Sequence, residues 1–220
     1  MIHFNNVTIA FNGRNVLNDV SLHLTNGEFT FLVGQTGSGK STILRLIYMD
    51  LVPAKGNVIV GKYNSATLLN RETPLLRRAL GIVFQNFRLL EDRNVYDNVA
   101  FTLHVTGTKG KEIKKKVLRV LADVGLSHQR NKMPHELSGG EQQRVVIASA
   151  LVNNTTFLLA DEPTGNLDPD TSHEILELLK NINTRGTGVV MATHNYGLVK
   201  RTNERVLQVQ DGKVFDTEMK

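Results

Sequence analysis

Residues 29–42 limit how this chain can fold more than any other stretch: the apolar run FTFLVG passes without a break into GQTGSGKST. The run reads as a strand, and a helix is expected to follow from Lys40 to about Met49. The loop between them satisfies G-x-x-x-x-G-K-[ST] in strand-to-helix context, the setting in which such a loop encloses phosphate. Its glycines, Gly34, Gly37 and Gly39, let the backbone amides of Gln35, Thr36, Ser38 and their neighbours wrap the phosphates of a nucleotide, and the helix start adds its dipole. Lys40 then reaches the β and γ phosphates, the Ser41 hydroxyl holds Mg2+, and Thr42 lies beside it for a phosphate contact.

The rest of the chain reads as the α/β core around that loop. GNVIVG, LGIVFQ at 80–85, TFLLADEP at 156–163 and TGVVMATH are strand-like, the last three as continuous apolar runs of the buried kind. IHFNNVTIAF and VSLHL alternate, and RVLQVQDGKVFDTE reads as a hairpin turning on Asp211-Gly212. LDPDTSHEILELLKNI carries helix-start chemistry: Asp168 caps, Pro169 suits the first helical position and Asp170 sits at the positive end of the dipole. Residues 86–136 differ, with VYDNVAFTLHV, a lysine-rich helix and no convincing strand. They are expected to form a small helical subdomain, extending into the helix that follows, inserted in a single domain spanning 1–220.

Size and charge narrow the function classes. A chain of 220 residues, 40% hydrophobic, supports one domain with a substantial core and a small insert. No segment offers the roughly 18 consecutive apolar residues of a membrane span, so membrane association is expected only through a partner. Zero cysteines exclude thiolate metal sites and disulfides. The net charge of +5 is mostly scattered, and the cluster KGKEIKKK at 109–116 reads as a solvated helix face beside the stripe Ile113, Val117, Val120, Leu121 and Val124.

Four further residues carry chemistry. Asp161 ends FLLAD, where a carboxylate becomes a partner for Mg2+; Glu162 follows, and strand alternation lets it point toward the γ-phosphate and take a proton from water. Gln85 ends GIVFQ and is placed to sense the γ-phosphate or its metal from the edge of the helical insert. His194 ends VVMATH and is placed to hold the water and Glu162. A second glycine-rich turn, ELSGGEQQR at 136–144, opens another helix: Ser138 is a good cap, Gly139 and Gly140 leave the backbone open, and Glu141 lies in the first turn. One nucleotide's phosphates are already enclosed by the first loop, so the second turn is expected to serve a nucleotide held by another copy of the chain; the spacing alone fits a plain capped helix equally.

Together these motifs resemble the ATP-binding cassette ATPases over essentially the whole chain. GQTGSGKS matches Walker A, FQNF the glutamine loop, LSGGEQQR the signature, FLLADE Walker B, GNLD the D-loop and His194 the switch histidine. The resemblance implies a P-loop NTPase fold of the ABC type, an α/β nucleotide-binding domain with an antiparallel β subdomain and an inserted helical subdomain, using ATP and Mg2+. Two such domains pack head to tail in that family, which implies that Ser138, Gly139, Gly140 and Glu141 meet the ATP of a partner copy and that Asp168 links the two sites. Phe11 stands where many relatives place a tyrosine on adenine, keeping the ring face. Ser149 stands where an arginine is common.

FQNFRLLEDRNVYDNVAFTL and ADEPTGNLDPDTS look most like the cell-division branch of the family. That likeness implies an ATPase at the cytoplasmic face of the inner membrane that drives an FtsX-like integral membrane protein and so regulates cell-wall hydrolysis. In relatives, the segment after the glutamine loop receives a helix from the membrane subunit, which assigns Phe87, Leu89 and Leu90 to a partner groove; the other reading is core of the insert. Rival functions are the motor of a lipoprotein-release or efflux transporter, a soluble nucleic-acid or ribosome-associated member, and a scaffold that binds ATP without turnover. Nucleic-acid-associated members usually carry two cassettes or a long coiled-coil insertion; this chain has neither, and no nucleic acid is expected.

Overall fold

The computed structural model describes residues 1–11 and 13–217. In chain order the elements are β1 (Ile2–Phe11), β2 (Arg14–Leu24), β3 (Phe29–Val33), α1 (Lys40–Ile47), β4 (Lys55–Val60), β5 (Tyr63–Asn64), α2 (Thr73–Arg78) and β6 (Leu80–Val83). There follow α3 (Val95–Val105), α4 (Gly110–Asp123), α5 (Gly139–Leu151), β7 (Phe157–Asp161), α6 (Pro169–Asn183), β8 (Gly188–Thr193), α7 (Tyr196–Val199), β9 (Arg205–Gln210) and β10 (Lys213–Thr217).

Two sheets organise them. The larger has the order β10-β9-β3-β8-β7-β6, parallel except for β10, and the smaller is antiparallel in the order β2-β1-β4-β5. Every residue of β3 and β8 is buried, because a parallel strand covered on both faces has no water-facing side. Alternation then distributes their side chains: Phe29, Phe31 and Val33 join the core beneath α3–α6, whereas Leu32 joins the core shared with α1 and the antiparallel sheet. Val189 and Met191 against Val190 and Ala192 repeat the pattern on β8.

Registry places the chemistry. Val33 pairs with Thr193, Asp161 with Ala192, and Val83 with Ala160, so β3, β8, β7 and β6 end together. The phosphate loop, Asp161-Glu162, His194 and Gln85 therefore emerge at one edge, the crevice beyond the carboxyl ends of a parallel sheet.

Between β6 and β7 the described residues form helices and turns only. Asn94 caps α3 by accepting from the Asp97 amide at 2.8 Å, and α4 buries Ile113, Val117, Val120 and Leu121 while Lys111, Lys114 and Lys115 face water. The insert is joined tightly to the core where β6 crosses α5: a Cβ on Gly81 would stand 2.6 Å from the Ala150 carbonyl oxygen.

Several boundaries differ from the sequence expectation. Helix α1 stops at Ile47, two residues early, because Met49 takes a left-handed φ of 53° that buries its side chain. Strand β2 begins at Arg14, since pairing with β1 recruits residues whose own alternation is weak. The short helices α2 and α7 carried too few turns for a periodic signal. The hairpin turns on Asp211 and Gly212, both at positive φ; Glu218, at the end of the expected hairpin, lies outside the described residues.

Candidate active site at the strand ends

The phosphate loop closes on its own lysine. Lys40, 6% exposed, donates from Nζ to the carbonyl oxygens of Gly34 at 2.8 Å and Gln35 at 3.2 Å, and lies 3.6 Å from Glu162 Oε1. Gly39 precedes α1 at φ 112°, and no side chain caps the helix, so its first amides stay free for an anion. Gln35, Thr36 and Gly37 are exposed around that opening, and Thr42 is half-buried behind it. The loop must be glycine at position 34: a Cβ there would stand 2.4 Å from the Val209 carbonyl oxygen.

Ser41, the second residue of α1, donates its hydroxyl to Asp161 Oδ1 at 3.0 Å. Burial holds the Asp161 carboxyl above its usual range and the neighbouring Glu162 charge adds to this, while the Ser41 hydrogen bond and Lys40 act in the opposite direction. A hydroxyl and a carboxylate held together, the carboxylate largely buried, fit Mg2+, which takes hard oxygen ligands. Among the described residues no cluster of three or more acidic, histidine or cysteine side chains competes as an all-protein metal cage.

Glu162 reaches the site by a route that strand alternation does not describe. Strand β7 ends at Asp161; Glu162 turns into the left-handed region at φ 49°, its amide donating to the Ala192 carbonyl at 3.0 Å. That turn brings its carboxylate between Lys40 and His194, with Oε2 accepting from His194 Nδ1 at 3.0 Å and lying 3.3 Å from the His194 amide. The Glu162 side chain is 11% exposed and the His194 ring 56%. An ionised carboxylate can only accept, so this contact selects the His194 tautomer with its proton on Nδ1 whenever Glu162 is ionised.

Gln85 follows β6 at the same edge of the sheet. It is exposed, and its amide nitrogen lies 3.8 Å from where a Cβ on Gly165 would stand, beside the turn that follows Glu162. Phe11 ends β1 as an exposed residue, 41% accessible. Ser149, where the family often has arginine, donates instead to the Val145 carbonyl one turn back at 3.0 Å.

The second glycine-rich turn is built differently. Ser138 Oγ accepts from the Glu141 amide at 3.2 Å while Glu141 Oε2 accepts from the Ser138 amide at 2.8 Å, a reciprocal cap that holds the Glu141 carboxyl below its usual range. Gly139 packs on Leu167, and Gly140 meets the start of α6, where an added Cβ would stand 2.5 Å from Thr171 Cγ2. Asp168 caps α6, accepting from the amides of Asp170 at 3.1 Å and Thr171 at 3.0 Å. Sequence reasoning missed the Gly140–Thr171 contact and the Lys40–Glu162 pair, both tertiary approaches without a local signal.

The fold and these strand-end groups define a P-loop phosphohydrolase site. Residues 17–165 match the family model described as ABC transporter, so the chain belongs to the ABC transporter family. It is 47% identical over 219 residues to the cell division ATP-binding protein FtsE of Bacillus subtilis, covering 99% of this chain and 96% of that one. Likeness to FtsE of Mycobacterium tuberculosis is 47% over 222 residues, covering 100% and 96%. Among solved structures, the dimeric post-hydrolysis state of the ATP-binding cassette MJ0796 bound to ADP and Pi superposes with a TM-score of 0.85 at 34% identity, covering 100% of this chain and 99% of that one.

Proposed function

We propose that this chain is the ATP-binding and ATP-hydrolysing subunit of a cell-division complex, pairing with a second copy around ATP and driving an FtsX-like integral membrane protein that regulates cell-wall hydrolysis. The observation that carries the reading is the convergence of Lys40, Ser41, Asp161, Glu162 and His194 at one sheet edge. Full-length likeness to FtsE supports division over lipoprotein release or efflux.

In this mechanism the amides of residues 34–42 and the open start of α1 bind the phosphates, and Lys40 exchanges its loop carbonyls for the β and γ phosphates. Ser41 and Asp161 are the residues that would hold Mg2+, which would supply charge neutralisation on the bound phosphates. Glu162, freed from Lys40, accepts the proton of the attacking water, and His194 fixes its carboxylate through Nδ1. Gln85, from the strand leading into the insert, reports the state of the γ-phosphate and its metal to the helices. Phe11 stacks on the adenine. Ser138, Gly139, Gly140 and Glu141 complete the pocket of the second copy, with Asp168 linking the two sites; a dimer is the form described for the MJ0796 cassette.

A groove of about 580 Å³ between α3, α5 and the segment after Gln85 supports the membrane-partner assignment. Phe87, Leu89 and Leu90 line one wall and the exposed Phe101 and Val105 the other. No helix among the described residues is long and apolar enough to cross a membrane, so attachment at the cytoplasmic face of the inner membrane goes through that partner.

The test is Glu162→Gln with Mg-ATP on a sizing column. The variant is expected to bind ATP, to lose turnover by about two orders of magnitude or more, and to run as a dimer. A strictly monomeric variant under saturating Mg-ATP would break the scheme.

A further inference from the structure

A cavity of about 300 Å³ lies behind the Glu162–His194 pair, and we propose that it is a binding site for inorganic phosphate on its way out of the reaction. The inference rests on the hydrolytic reading above and extends it to the fate of the product. Glu162 and His194 form the wall shared with the strand-end site; Thr164, Ser172 and Thr193, each more than nine-tenths buried, supply hydroxyl-bearing sides; and Arg201 stands in the wall as its one permanent cation.

Charge makes this an anion site rather than a cation site. The single acid, Glu162, already has one carboxylate oxygen at 3.6 Å from Lys40 and the other at 3.0 Å from His194. Arg201 makes no salt bridge among the described residues, so its guanidinium fork is available to an incoming oxyanion. The Ser172 hydroxyl is held only loosely, 3.5 Å from each of the Thr164 and Leu167 carbonyls, and can turn to a better partner. Gly165 and Gly197 line the same space with no side chain to fill it.

Position supplies the second argument. When water adds to the γ-phosphorus and the bond to ADP breaks, phosphate is released between Lys40 and the Glu162–His194 pair. In front of it lie ADP, the phosphate loop and, in a dimer, the partner copy. The cavity shares Glu162 and His194 with that site as part of its lining, and Arg201 adds a fixed positive charge to it. Arg201 is exposed, so its replacement leaves the fold intact.

The experiment is equilibrium binding of radiolabelled inorganic phosphate to the full chain, with and without saturating Mg-ADP, in wild type, Arg201→Ala, Arg201→Lys and Lys40→Ala. Wild type is expected to bind phosphate beside Mg-ADP. Arg201→Ala should weaken it about tenfold, the scale of one charge-assisted hydrogen bond. Arg201→Lys should restore part of the loss, and neither Arg201 variant should change affinity for Mg-ADP. Equal phosphate binding in wild type and Arg201→Ala, or none in wild type, overturns the proposal, as does binding that depends on Lys40 alone. Failure of the chain to bind Mg-ADP at all would instead strike the hydrolytic reading.

Discussion

Two glycine-rich turns open helices in this chain, and their first amides meet different fates. At α1, Gly39 leaves the N-terminus without a side-chain cap and without an acidic residue in the first turn. At α5, Ser138 and Glu141 cap each other, and Glu141 puts a negative charge where an anion would sit. Both helix starts carry the same dipole, so the dipole alone does not decide what binds. The difference lies in the capping side chains: the first turn is complete only with an outside anion, whereas the second is already satisfied and meets phosphate, in the proposed dimer, only when a second copy delivers it.

The largest expected effect breaks the two turns apart. Lys40→Ala should weaken ATP binding by the isolated chain and lower turnover by about two to three orders of magnitude, because the fixed charge aimed at the phosphates is lost. Ser138→Ala should leave ATP affinity of the isolated chain unchanged and cost about 1 kcal/mol of stability through the lost cap. Nucleotide titration by fluorescence on both variants measures this. Equal loss of affinity in the two would erase the distinction between the turns.

A middle-sized effect sharpens it. Gly140 is glycine for a packing reason, the approach of Thr171 Cγ2 to within 2.5 Å of an added Cβ. Gly140→Ala should therefore destabilise the chain by about 1–3 kcal/mol in urea unfolding. Thr171→Ser removes that methyl and keeps the hydroxyl that Asp168 accepts from, so the double variant should recover most of the loss. Without recovery, the contact between the signature turn and α6 is not what fixes the glycine.

Sequence reading reached the parts of this molecule that depend on local rules. Asp168 and Ser138 are caps because a short oxygen-bearing side chain before a helix has few other uses, and the strand ends were visible because doubly covered parallel strands leave long apolar runs. It failed where the chain leaves a rule. Alternation predicts where Glu162 points only while β7 continues, and the left-handed turn at Glu162 ends it. Lys40 folds back onto Gly34 and Gln35, six and five residues earlier, through backbone carbonyls that no side-chain pattern marks.

The smallest effect concerns the buried carboxylate beside the open turn. Burial raises the Asp161 carboxyl above its ordinary value, so the fold favours the protonated group over the charged one. A raised folded value means that the associated stability is fully present below the unfolded value of about 3.9 and is lost as pH rises through the folded value. At neutral pH the ionised carboxylate is thus a burden on the empty chain. Asp161→Asn, neutral and of the same shape, should make the nucleotide-free protein more stable than wild type at pH 7, a gain that disappears near pH 3. The same variant should lose the additional stabilisation that Mg2+ gives over ATP alone, since the carboxylate that the fold strains to hold is the one the cation needs. Thermal unfolding at both pH values, with ATP and with or without Mg2+, separates these effects. A variant no more stable than wild type at neutral pH would mean that the Ser41 hydrogen bond and Lys40 already balance the burial of this carboxylate.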